Sequence, residues 1–317
     1  MKSFIKQVLI FFLPLIFLSV VIDYVISNQL KKSKTHAFRE YPVWNDIYSG
    51  NINADLLIMG SSRAWRHIDP NVMEDSLGMT SYNLGMDGQH LPMQLWRYET
   101  FLKKNHSPKV IIYSLDFFML TYTNELFNKD QFLPYLLFDF DAEKHLKNYI
   151  GFDYFDYRLP LIRYCGASKA IFHTARISLF PNSMKKGREK GFYAENKKWN
   201  HDFEKAKAKK KKYDATIDSS ILIQFDKYLE DCKKNDIKVI LVYSPEYIEG
   251  QKFVSNRTEI IKTFENLAKK YNNPFLNYST DTLSFQKPLF YNATHLNKRG
   301  ADLFSIKLAS DLKKILN

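Results

Sequence analysis

The sequence predicts an α/β domain built on a parallel sheet, preceded by one apolar helix and interrupted by a long insertion. Three observations point there. Short β-branched or apolar runs alternate with amphipathic stretches, an apolar segment opens the chain, and the alternation lapses between about 118 and 216.

Residues 4–26 are mostly apolar, with Lys6 near the start and Asp23 near the end as the charges. As a helix rising about 1.5 Å per residue, they span roughly 34 Å, enough for a hydrocarbon core of about 30 Å. Pro14 is tolerated in a membrane helix, and Tyr24 stands where an interfacial aromatic sits. A cleaved signal peptide competes with this reading. The stretch is long for one, and no small-x-small cleavage site follows it. The expected division is a transmembrane anchor over 1–29 and an α/β domain over 30–317, with the insertion at about 118–216. Flanking charge argues against an exterior domain. Lys2 and Lys6 flank its N-terminal end, whereas Lys31, Lys32, Lys34 and Arg39 follow it. That count alone puts the large domain in the cytoplasm.

Strands are expected at 56–60, 81–85, 110–115, 239–244 and 274–278, and helices at 90–105, 217–234, 256–272 and 298–316. The last helix repeats Ala301, Phe304, Leu308, Leu312 and Ile315 along a wide apolar face. Strands alternating with helices call for a parallel sheet covered on both faces. Residues 118–216 are aromatic in their first half and basic in their second. A structureless loop of that length is unusual, so the segment reads as an insertion packed over the sheet.

Hydrophobic residues make up 45% of the 317 and aromatics 15%, enough to fill a core and to exclude wholesale disorder. Cys165 and Cys232 make neither a disulfide framework nor a metal cluster, and they read as two buried thiols. The net charge is +12, and residues 181–215 hold twelve Lys or Arg against five Asp or Glu, including the run KAKAKKKK at 205–212. That segment reads as a solvated basic face, or as a patch meeting anionic lipid headgroups or an acidic glycan. Nucleic acid is disfavoured, because no binding motif accompanies the charge.

Two short stretches carry the chemistry. The run 56–63, LLIMGSSR, ends a buried strand in Gly60-Ser61-Ser62. Ligands of open α/β sheets sit outside the carboxyl ends of strands, so a Ser there meets substrate. A helical turn opening at Ser62 would surround it with unpaired backbone N–H groups. The same triplet also serves as an ordinary turn or N-cap. The second stretch, FYNATHLN at 290–297, directly precedes the last helix. His295 is a candidate general base for Ser62, and Asn292 lies three residues before it, within reach of the imidazole. The competing reading is a structural His and a helix cap.

Together these stretches resemble the SGNH (GDSL-type) hydrolase superfamily. Gly60-Ser61-Ser62 matches the nucleophile motif, Tyr82-Asn83-Leu84-Gly85 the oxyanion-hole glycine after the second strand, and Asn292-Ala293-Thr294-His295 the Asp-x-x-His motif before the last helix. The resemblance covers most of 53–116 and 236–317. It implies a flavodoxin-like three-layer sandwich, with Ser62, His295 and Asn292 as the catalytic set and the N–H groups of Ser62 and Gly85 as the oxyanion hole. No cofactor or metal is implied. Gly-Ser-Ser behind an anchor also looks like the membrane-bound branch that includes D-alanine transfer proteins of teichoic acid synthesis and O-acetylation proteins of exopolysaccharide export. Those relatives lie outside the cytoplasmic membrane. The resemblance therefore sets a single-pass chain with its domain facing the periplasm or exterior, against the charge count.

The expected function is a serine esterase or O-acyltransferase on acyl groups of a cell-envelope glycan, with the bilayer and a membrane-bound acyltransferase as partners. Two departures favour the alternative, a catalytically impaired protein that binds glycan or scaffolds an export complex. The family's Asp is Asn292 here, unless Asp281 or Asp116 folds in to supply the charge. The third strand ends Tyr113-Ser114-Leu115-Asp116, without the family's Gly-x-Asn-Asp block. In the serine-protease template the first change costs about 10⁴ in kcat, and loss of one oxyanion donor costs roughly 10²–10³.

Overall fold

A computed structural model describes residues 2–181, 185–209 and 212–316. Its centre is a five-stranded, wholly parallel sheet of β1 Leu56–Gly60, β2 Ser81–Asn83, β3 Val110–Ser114, β4 Lys238–Tyr243 and β5 Phe275–Asn277. The strand order is β2-β1-β3-β4-β5, the flavodoxin-like order. β1 pairs with β2 from Leu56↔Ser81 and with β3 from Leu56↔Val110. The chain leaves β1 toward one edge and later returns toward the other, so the topological switch point lies beyond the end of β1.

Strands covered on both faces need apolar residues at every position, and β1 and β3 are buried throughout. Successive side chains alternate between faces. Leu56, Ile58, Ile112, Ile240 and Val242 pack with Phe304, Leu308 and Leu312 of the last helix, Lys298–Leu316, and with Met73 of the helix Pro70–Leu77. Tyr113 points the other way, edge-on to Phe225 and Tyr228 of the helix Ser219–Lys234. β2 stops two residues short of its expected end. Beyond Asn83 the chain continues as a turn whose Leu84 and Met86 N–H groups donate to Ile58 and Gly60 carbonyls.

The chain separates into two compact units, Asp46–Thr123 with Arg188–Asn317, and Met1–Asn45 with Asn124–Gly187. The expected insertion is thus divided between them. Its tail from Arg188 belongs to the sheet unit, where Phe192 joins the core. Lys210 and Lys211 of the basic run lie outside the described residues.

In the other unit, residues 124–187 fold with the helix Lys2–Lys31, whose Ile10–Lys31 portion is long and apolar enough to cross a membrane. Asp23, the charge near the end of the apolar segment, takes a two-pronged bond from Arg163 at 2.7 and 2.6 Å and a third from the Leu161 N–H at 2.7 Å. Ser27 bonds the Tyr164 hydroxyl at 2.7 Å. Leu30, Tyr41, Leu133, Tyr164 and Ala170 form a small core around these groups. Both cysteines are free; Cys232 is buried as expected, but Cys165, which follows the short turn Ile162–Tyr164, is exposed.

Candidate active site

Gly60 ends β1 with φ +134°, and a Cβ there would lie 2.5 Å from the Ser114 carbonyl oxygen, so the sharp exit from the strand needs glycine. Ser61 turns inward and donates to the buried Asp116 carboxylate. Ser62 then opens the short helix Ser62–His67, where its N–H has no partner within the helix. At the far end of the sequence, Tyr291 to Asn297 lead into the last helix. The Leu296 N–H donates to His67 Nε2 at 3.0 Å, which pins this loop beside the helix that Ser62 opens.

The two stretches meet. Ser62 Oγ lies 2.8 Å from His295 Nε2. His295 Nδ1 lies 3.0 Å from Asn292 Oδ1 and 3.0 Å from Thr294 Oγ1. Asn292 Oδ1 also accepts from the backbone N–H groups of Thr294 at 3.1 Å and His295 at 2.9 Å. Two backbone donors can only face an oxygen, so the amide orientation is fixed. An acceptor at Nδ1 places the ring proton there and leaves Nε2 to take the Ser62 proton. Tyr291 stacks on the imidazole, with ring centroids 5.4 Å apart.

Electrostatics hold His295 neutral. Burial pulls its pKa well below 6.5, and the nearby cations Arg66, Arg63 and Lys197 lower it further. Burial does the same to His67, aided by Arg63, His295 and Arg66. The two guanidinium groups are themselves matched by buried carboxylates. Arg66 bonds Asp87 at 3.0 Å and Glu195 at 3.1 Å. Arg63 pairs with Glu246 at 3.1 Å and Asp116 at 3.3 Å. Burial pushes the Asp116 carboxyl up to about 6 against the pull of Arg63 and Ser61.

The remaining sequence candidates are placed as follows. Gly85 sits tight against the helix Ser62–His67, where a Cβ would lie 2.8 Å from both Ala64 Cβ and Trp65 N. Its N–H, expected in the oxyanion hole, donates to Asn83 Oδ1 at 2.9 Å. Asn83 and Gly85 are two residues apart, the spacing at which an Asn side chain closes such a turn. Asp116 bonds Ser61 and Arg63, and Asp281 caps the turn Thr282–Phe285 and pairs with Lys307 at 2.6 Å. The acceptor on His295 Nδ1 is therefore an amide and a hydroxyl.

Sequence reasoning missed three contributors. Thr294 reaches Nδ1 from the position next to the histidine, and Tyr291 stacks on the ring. Glu195 comes from the basic half of the insertion to Arg66, and no periodicity marked it. Phe117 and Phe118, where the family's third-strand block would follow, line a cavity of about 490 Å³. Phe203, Ala206, Tyr213 and Phe253 also line it, and its wall includes Asn292 and Thr294. Among the described residues, no group of three or more His, Cys, Asp or Glu is placed to hold a metal ion.

No family model matches the chain. No curated protein matches it either. Among solved structures it is similar to the acetyl xylan esterase AlAXEase, at 14% identity over 81% of this chain and 98% of that one, with a TM-score of 0.39. It is also similar to a GDSL-like lipase from Bacteroides thetaiotaomicron, at 12% identity over 82% of this chain and 88% of that one, with a TM-score of 0.38. These likenesses are of distant chain course, and the reading below rests on the site's own geometry.

Proposed function

We propose that this chain is an SGNH-type serine esterase or O-acyltransferase, held to the cytoplasmic membrane by its N-terminal helix, that acts on acyl groups of a cell-envelope glycan on the periplasmic or exterior side. One observation carries the chemistry: Ser62, His295 and Asn292 form a continuous hydrogen-bonded relay at the carboxyl end of β1. In this reading Ser62 Oγ attacks the ester carbonyl as His295 Nε2 removes its proton. The Ser62 N–H receives the developing oxyanion, and the Gly85 N–H joins it on exchanging its bond to Asn83. His295 returns the proton to the leaving alcohol. Water or a sugar hydroxyl then attacks the acyl-serine, and the two outcomes are hydrolysis and transfer.

The aromatic-walled cavity reaches Asn292 and Thr294 but is lined by neither Ser62 nor His295; its apolar wall suits an acyl chain extending from the reacting ester. Uncleaved anchoring is supported by Asp23 and Ser27, whose partners Arg163 and Tyr164 make the end of the first helix part of a folded unit. The exterior placement and the glycan come from the family resemblance. A fluorophosphonate probe tests the chemistry: it should label the wild type at Ser62, and Ser62→Ala should lose both labelling and turnover of p-nitrophenyl esters while keeping its fold. A wild type that resists the probe defeats the esterase reading. The amide at position 292 and the engaged Gly85 N–H favour the second reading, a glycan-binding protein without turnover, and glycan binding by an unlabelled wild type would establish it.

A further inference from the structure

The helix Ser168–Leu179 has two apolar faces where a helix on a water-facing surface has one. Ala170, Thr174 and Ile177 are buried at helical spacing, and Ala170 joins Leu30 and Tyr164 in the small core. His173 Nε2 lies 2.6 Å from Ser33 Oγ, which fixes this helix at the end of Lys2–Lys31. The opposite side carries Ile171, Phe172 and Leu179, the last two 74% and 72% exposed, and Phe180 continues it at 62%. A contiguous exposed patch of this kind marks an interaction surface.

Two further facts say what covers it. As a helix the apolar span Ile10–Lys31 advances roughly 32 Å, the depth of a hydrocarbon core. Ser33 and the His173 bonded to it therefore stand at the edge of a bilayer crossed by that span. Residues 165–187 contain Lys169, Arg176, Lys185 and Lys186 and no Asp or Glu. An apolar helix face in a stretch whose own charges are all cationic suits the boundary of an anionic leaflet.

We propose that Ser168–Phe180 lies in the headgroup layer of an anionic bilayer, its Ile171, Phe172 and Leu179 face dipping toward the acyl chains beside the anchor. This rests on reading Lys2–Lys31 as a membrane anchor, and the test separates the two. Cys232 is buried and Cys165 exposed, so the full chain carrying Cys165→Ser accepts one probe at a chosen site. Phe172→Cys and, as the anchor control, Phe17→Cys are each labelled with an NBD fluorophore. The proteins are reconstituted in phosphatidylcholine vesicles with or without phosphatidylglycerol and with nitroxide-bearing lipid. The probe at 172 should show blue-shifted emission and lose fluorescence to the nitroxide, more strongly with phosphatidylglycerol present. Quenching at 17 with none at 172 overturns the proposal and leaves the anchor standing. Absence of quenching at both sites removes the anchor reading, and this inference with it. A probe at 172 shielded from aqueous iodide yet untouched by the nitroxide lipid shows a protein surface there, a second copy or another chain, and also overturns it.

Discussion

In the proposed reaction, Asn292 is the residue on which the rate turns. Its Oδ1 orients His295 as a carboxylate would, but it brings no charge to the imidazolium that forms when Ser62 is deprotonated. Arg66, Arg63 and Lys197 oppose that cation further. Asn292→Asp should therefore raise kcat, with the ~10⁴ of the protease template as a ceiling. It should also raise the pKa of His295. The acid limb of kcat/KM, set below 6.5 in the wild type, should move upward in the variant. A pH–rate profile of both proteins reads the two effects, and an unshifted limb would show that residue 292 does not face the working ring.

Asp116 makes a different prediction. Folded, its carboxyl keeps a proton up to about 6, against an ordinary 3.8. Between those values the native state binds more protons than the unfolded chain, so this group's contribution to stability falls as pH rises through the window. Asp116→Asn should flatten that part of the slope in urea unfolding; an unchanged slope argues that the buried carboxyl is ionised throughout. Both chemical motifs were legible in sequence, because a Ser after an apolar strand and a His before the last helix are local patterns. The engagement of Gly85 by Asn83 was not, since it depends on which way one amide turns.

At the level of elements, all five strands were readable as short apolar runs, and the helix bounds at 219–234, 257–271 and 298–316 fall within two residues of expectation. The division of the insertion was not readable. Aromatic residues serve equally in a small core, a cavity wall or an exposed face, and composition does not separate them. The helix Asp202–Lys209 illustrates the point. It reads as part of a charged tract, yet Phe203 and Ala206 line the cavity. Ala206→Trp should fill part of that space. We expect at least about a tenfold loss of kcat/KM on hexanoyl esters with acetyl esters little affected, on the scale of one to three kcal/mol for a mismatched apolar pocket. Equal losses on both esters would place the acyl chain elsewhere.

For the molecule as a whole, the proposed placement on the periplasmic or exterior side opposes the count of flanking lysines, and the contest is decided by experiment. Alkaline phosphatase fused to the C-terminus should be active in the bacterial cell and a green fluorescent protein fused there dark. The reverse pair of results puts the domain in the cytoplasm and removes an envelope glycan as its substrate.

Ser62 and His295 are separated by 233 positions, and that separation has a temporal meaning. A ribosome adding about 5–20 residues per second needs roughly 10–50 s to travel from one to the other. Through that interval the growing polypeptide carries a hydroxyl with nothing to deprotonate it. In the proposed chemistry, reactivity toward esters begins only after the helix Lys298–Leu316 has been made and has settled on the sheet, so a copy stopped before His295 would be chemically silent.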